Sequence, residues 1–204
     1  LRRGRETANT QWGNAPSVLV GDFLYSRAFQ MLVTIADMPI MGVMADATNV
    51  ISEGEVQQMA NAGNADITEA IYLQVIYRKT AKLFEAAAQS GAILADKPQA
   101  AMADYGRHLG MAFQIVDDVL DYQGDVKSIG KNVGDDLAEG KMTLPLIFAR
   151  DRVSAKQRAL ICNAVENKTA QGFAAILEAV QSCGGIAYSM ERARLEADLT
   201  LRCG

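Results

Sequence analysis

The chain reads as an all-α protein, a bundle of long helices packed around a central cavity, and three observations predict it. Ala, Leu, Met, Gln and Glu are plentiful while aromatics make up only 6% of residues, a composition that favours helix. Between the four prolines, Pro16, Pro39, Pro98 and Pro145, apolar residues recur at helical spacing almost throughout. No alternating β-branched run survives beyond a few residues, so a sheet has no candidate strands.

Taken in order, the periodicity predicts helices across 16–36, 40–60, 66–90, 99–123, 144–150, 154–166, 170–182 and 185–202. In 66–90, Tyr72, Ile76, Leu83, Phe84 and Ala87 fall on one face. In 99–123, Leu109, Phe113, Val116 and Leu120 do the same. The longest irregular stretch is 123–143, punctuated by Gly124, Gly130, Gly134 and Gly140. Met31, Met38, Met41 and Met44 read as core or cavity lining. With half of its residues hydrophobic, the 204-residue chain has the material for one domain, residues 1–204. It opens at Leu1 without a methionine and closes at Gly204 inside what still reads as helix, so it is read as part of a longer protein.

Composition narrows the function. A net charge of −4 argues against a general nucleic-acid binder, which would carry a basic stripe. Cys162, Cys183 and Cys203 lie far apart and odd in number, making neither a CxxC metal site nor a disulfide framework; this points to a reducing cytoplasm. No apolar run approaches the roughly 20 residues a membrane span needs.

The segment FQIVDDVLDYQGD (113–125) carries the chemistry. On a helix, Asp117 and Asp121 are i, i+4 and Asp118 and Asp121 are i, i+3, so three carboxylates crowd one turn between apolar flanks. Like charges this close repel, and no Lys or Arg lies within four residues to neutralise them. A hard divalent cation would, and Mg²⁺ held through one or two carboxylates plus substrate phosphates fits best. A solvated acidic helix face is the alternative reading of the same residues.

Downstream, IGKNVGDDLAEGKMTLP (129–145) sets Lys131 and Lys141 beside Gly130 and Gly140, as point charges suited to phosphate. Asp135 and Asp136 could orient those lysines or ligate metal-bound water. Alone, this is also a charged surface loop. Upstream, Lys79 and Thr80 interrupt the apolar stripe where a buried lysine needs a partner, unless its stem packs while the ammonium reaches water. Arg2, Arg3 and Arg5 offer guanidinium groups for bidentate phosphate contact, or form a solvated terminus. His108, the single histidine, lacks metal-ligand company and reads as a helix-surface or packing residue.

Together these segments resemble the trans-isoprenyl diphosphate synthases, and most closely the bacterial long-chain members that make octaprenyl diphosphate. LRRGRETAN (1–9) is similar to the segment following that family's first aspartate-rich motif. SVLVGDFLYSRAFQ (17–30), EGEVQQ (53–58), VIYRKTAKLFEAAA (75–88), FQIVDDVLD (113–121) and GKNVGDDLAEGKMTLPLI (130–147) follow in family order. The resemblance implies the isoprenoid synthase fold, here truncated at both ends, and a Mg²⁺-dependent prenyltransferase. Such an enzyme condenses a farnesyl-type allylic diphosphate with successive isopentenyl diphosphates into a long all-trans chain for quinone side chains. It implies that Asp117, Asp118 and Asp121 hold Mg²⁺, with Asp117, Asp118 and Lys79 catalytic. Lys79, Thr80, Gln114, Lys131 and Lys141 would contact the allylic diphosphate, with Arg2 reaching the same group and Arg3 the isopentenyl one. It further implies a homodimer, no transmembrane segment, and at most transient membrane contact for product release. Three rivals share these motifs in part: a non-catalytic partner subunit of a heteromeric synthase, a terpene cyclase, and a shorter-chain synthase of geranylgeranyl type.

Overall fold

A computed structural model of the chain describes residues 6–123 and 134–203. Arg2, Arg3 and Lys131 lie outside the described residues. Among the described residues the secondary structure is entirely helical: α1 (Ala8–Trp12), α2 (Asn14–Ile35), α3 (Met38–Asn61), α4 (Glu69–Ile76), α5 (Lys82–Leu94), α6 (Gln99–Gln123), α7 (Asp135–Ala138), α8 (Leu144–Arg150), α9 (Ala155–Glu166), α10 (Phe173–Ser182) and α11 (Gly185–Thr200). A single π-helical turn, Tyr77–Ala81, joins α4 to α5 without a break.

The helix starts follow from local chemistry. Asp37 accepts from the Ile40 N–H at 3.0 Å and, with Pro39 in the first turn, begins α3. Thr68 accepts from the Ile71 N–H at the head of α4. Ser154 and Gln157 form a reciprocal capping box on α9. Ala36, in the left-handed conformation, ends α2.

α6 is the axis of the molecule, packed along α5 and the π turn on one side and α11 on another. The core gathers Ile115, Val119 and Tyr122 of α6 with Leu144 and Leu146 of α8, Ile161 and Val165 of α9, and Ile176 and Val180 of α10, each at most 2% exposed. Arg150, 7% exposed, donates through Nη1 to the carbonyls of Ala65 at 2.6 Å and Ile67 at 2.9 Å, pinning the connection that leads into α4. His108 bonds Glu196 at 2.7 Å, so the lone histidine fastens α6 to α11.

Two predicted stripes need correcting. In 66–90 the buried residues are Ile67, then Tyr72, Val75 and Ile76, then Ala81 and Ala86, while Leu83 is 47% exposed and Ala87 is exposed too. The step from 76 to 81 is too long for an α-helix. The π turn inserts the extra residue and rotates everything after it. In α6 the buried face is Gly106, Gly110, Met111, Ile115, Asp118, Val119 and Tyr122, whereas Leu109, Phe113 and Leu120 face outward. Glycine decides this: a Cβ on Gly110 would sit 2.5 Å from the Ala81 Cα, so the small face accepts the close approach.

α2 buries none of its residues, and Met31 and Met38 are 60% and 74% exposed rather than core. By length and composition α2 is also apolar enough to cross a membrane; Asp22 and Arg27 interrupt it, which is why an unbroken-run criterion passes over it. Two short helices were not anticipated, α1 and α7, the latter inside the stretch read as irregular.

Candidate active site

A cavity of about 520 Å³ opens between α3, α4 with the π turn, α6 and the α7–α8 segment. Asp117, Asp118, Asp121, Lys79, Thr80, Gln114 and Lys141 all line it, so seven of the residues singled out from sequence come together. Asp135, Asp136 and Glu139 join them.

The π turn delivers the first group. Its backbone is gripped by two glycines, Gly110 of α6 against Ala81 and Gly54 of α3, where a Cβ would lie 2.7 Å from the Lys79 N. Held there, Lys79 and Thr80 both face the cavity. Lys79 Nζ donates to Gln58 Oε1 at 2.5 Å and lies 3.4 Å from Glu55 Oε2. It is therefore a partnered lysine reaching the cavity wall, half-buried, not a stem snorkelling outward.

α6 supplies the carboxylates. Asp118 is 6% exposed, and both of its oxygens are bonded: Tyr72 Oη donates to Oδ2 and Gln114 Nε2 to Oδ1, each at 2.8 Å. Thr80 Oγ1 donates in turn to Gln114 Oε1 at 2.8 Å. Asp121, also 6% exposed, accepts the Asp136 N–H at its Oδ2 (3.3 Å), while its own carbonyl accepts the Gly134 N–H at 3.3 Å. Asp121 thus fixes the start of α7 and with it Asp135 and Asp136. Asp117, half-buried, lines the cavity on the side where Phe113 and Leu120 form an exposed apolar stripe.

Lys141 closes the far wall, bonding Asp136 at 2.8 Å and Glu139 at 2.6 Å. Those acidic partners hold its pKa above the ordinary lysine value despite burial, so it stays cationic. The carboxylates show the opposite strain. Burial, then repulsion from Asp136, pushes Asp118 up to about 7 and Asp121 up to about 6. Burial and the neighbouring Asp118 raise the Tyr72 phenol further, so it keeps its proton and acts as a donor.

Among the described residues, six carboxylates and two ammonium groups line this space. A polyanion cannot enter such a site unaided, and a hard cation would relieve the repulsion. Among the described residues no three acidic, histidine or cysteine side chains converge tightly enough to cage a metal alone. Mg²⁺ keeps water and substrate oxygens in its shell and needs only one or two protein carboxylates, which the cavity aspartates can supply. The donor set fits.

Sequence reasoning passed over three contributors. Tyr72 was read as an apolar stripe member, although a tyrosine on a buried face needs a partner for its hydroxyl. Gln58 and Glu139 carried no signal beyond their place in longer motifs.

An all-helical fold around an acidic cavity flanked by lysines has close counterparts. A family model for polyprenyl synthetase matches residues 1–187. Octaprenyl diphosphate synthase of Haemophilus influenzae is 51% identical over 201 residues, 97% of this chain and 61% of that protein. The Escherichia coli enzyme of the same name is 50% identical over 202 residues, 97% of this chain and 62% of that protein. A decaprenyl diphosphate synthase from Rhodobacter capsulatus superposes with a TM-score of 0.91 at 41% identity, covering 100% of this chain and 64% of that one. A Caulobacter crescentus polyprenyl synthase, solved with calcium and isoprenyl diphosphate, superposes at 0.94 and 39% identity, covering 100% and 63%. This chain therefore belongs to the polyprenyl synthetase family, and it spans about three fifths of the length of those relatives.

Proposed function

We propose that the protein is a Mg²⁺-dependent trans-polyprenyl diphosphate synthase that extends an allylic, farnesyl-type diphosphate with isopentenyl diphosphate, to an octaprenyl product. The observation that carries this reading is the cavity itself, with Lys79, Thr80 and Gln114 set against Asp117, Asp118 and Asp121 and Lys141 across from them. The product length is carried by the identity to octaprenyl diphosphate synthases. The diphosphate-and-divalent-cation pairing is supported by the similar Caulobacter protein.

Asp117, Asp118 and Asp121 would hold Mg²⁺, which supplies charge neutralisation for the departing pyrophosphate. Lys79, Lys141, Thr80 and the Gln114 amide donate hydrogen bonds to the allylic diphosphate oxygens, with Lys131 and Arg2 as further donors and Arg3 serving the isopentenyl group. These donors act hardest on charge that develops as the allylic C–O bond breaks. The bond's electron pair leaves with pyrophosphate. The isopentenyl double bond then attacks the allylic cation, forming the new C–C bond. A proton is lost from the adduct to the released pyrophosphate, restoring a double bond.

We place this activity in one catalytic domain that includes residues 1–204, in a homodimer in the cytoplasm, the latter in keeping with three unpaired cysteines. The test is incorporation of labelled isopentenyl diphosphate by the full-length protein, with products sized by chromatography. Chelating Mg²⁺ is expected to abolish it. Asp117→Ala is expected to lower kcat on the order of 10²–10³-fold, the usual cost of removing one electrostatic stabiliser. Asp136→Ala should cost less, since Asp136 works by holding Lys141. No incorporation by wild type, or an Asp117→Ala variant with unchanged kcat, rejects the reading.

A further inference from the structure

We propose that Tyr72 is a positioning residue for the metal-binding aspartates, acting through Asp118. This rests on the reading above, in which the acidic wall of the cavity carries Mg²⁺. Tyr72 is 5% exposed on α4, and its hydroxyl is committed to Asp118 Oδ2 at 2.8 Å. Gln114 takes the other oxygen and is itself fixed by Thr80. A four-member chain, Tyr72–Asp118–Gln114–Thr80, thereby ties α4, α6 and the π turn together. It fixes the plane of the Asp118 carboxylate from both ends while Asp118 still lines the cavity.

Stability does not account for this arrangement. A buried carboxylate bonded to a phenol and an amide lacks a cation, and burying such a charge costs more than its hydrogen bonds return. Phenylalanine would keep the Tyr72 ring but leave the buried Asp118 Oδ2 without its phenol donor. What the hydroxyl adds is direction. A carboxylate that must meet a small cation demanding near-octahedral geometry cannot be free to swing, and outer partners that orient such ligands are typically worth 10–100-fold in metal affinity or activity.

The experiment compares wild type, Tyr72→Phe, Asp118→Asn and the double variant in the full-length protein. Mn²⁺ replaces Mg²⁺ as a spectroscopic probe and inorganic pyrophosphate replaces substrate, so that metal affinity is read by electron paramagnetic resonance without turnover. Tyr72→Phe is expected to weaken Mn²⁺ binding and to lower kcat by about 10-fold each. The KM for isopentenyl diphosphate should stay within about twofold. In the Asp118→Asn background the same substitution should change Mn²⁺ affinity by less than about twofold, because the group it acts through is gone. Unchanged Mn²⁺ affinity in Tyr72→Phe, or an equal loss in both backgrounds, overturns the proposal. Wild-type protein that binds Mn²⁺ and pyrophosphate yet incorporates no isopentenyl diphosphate counts against prenyl transfer alone, and the Mn²⁺ comparison still decides Tyr72.

Discussion

Asp118 and Asp121 hold protons well above the ordinary carboxylate value of 3.8, at about 7 and about 6, because burial and Asp136 disfavour their charge. A group raised in this way contributes its stability fully below the unfolded value, and that contribution disappears as pH climbs through the folded one. Asp151, lowered by its bond to Arg150, works in the reverse sense, and its contribution is lost only as pH falls below the usual carboxylate range. Between the ordinary carboxylate value of 3.8 and about pH 7 the two cavity aspartates therefore set the slope. The metal-free protein is expected to melt at progressively lower temperature across that window. Mg²⁺ should raise the melting temperature, and more at pH 8 than at pH 5, since the deprotonated carboxylates are the form that binds. Asp118→Asn should flatten the metal-free slope. A melting temperature that rises with pH without metal, or a Mg²⁺ effect indifferent to pH, contradicts this account of the charge in the cavity.

At the scale of elements, the π turn explains how the site is assembled. Gly110, Gln114 and Asp118 are spaced by four on α6, and they meet Ala81, Thr80 and Tyr72 in turn. Gly110→Ala would drive a methyl group to 2.5 Å from the Ala81 Cα, which is backbone and cannot swing aside. The expected loss is about 1–3 kcal/mol in denaturant unfolding, even though alanine is the better helix former by about 1 kcal/mol. Affinity for diphosphate should fall alongside, because Lys79 and Thr80 move with the turn. A Gly110→Ala protein as stable as wild type would mean that the helices are not in contact there. Sequence periodicity located the long helices but ran 66–90 as one α-helix through the π turn, where Lys79 and Thr80 stand out only as polar residues on an apolar stripe. It could not say that the break was an inserted residue, because a stripe carries phase but no hydrogen-bond pattern. It also chose the wrong face of α6, since large apolar residues were weighted over the glycines that decide which face admits a neighbour. The cavity itself was legible because its residues are charged and ill-suited to a core. Tyr72 and Gln58 were not, since a tyrosine and a glutamine have ordinary structural uses.

For the whole molecule, α2 is the unfinished part. Val18, Leu19, Val20, Phe23 and Leu24 are between 57% and 66% exposed, and the 22-residue helix buries none of its side chains. A continuous apolar surface of this kind marks an interaction site. Each such side chain is worth about 1.5–3 kcal/mol when fully buried, so several together can offset an association cost of about 4–15 kcal/mol. Asp22 and Arg27 within the helix oppose a bilayer as the occupant. A second copy of the protein, pairing α2 with its counterpart, fits better. Light scattering on the full-length protein at micromolar concentration should return the mass of a dimer. Leu19→Glu with Phe23→Glu, adjacent on one face at i, i+4, should shift that mass to the monomer by placing four like charges across the interface. A wild-type monomer in which α2 resists proteolysis would instead assign this face to contacts within one polypeptide.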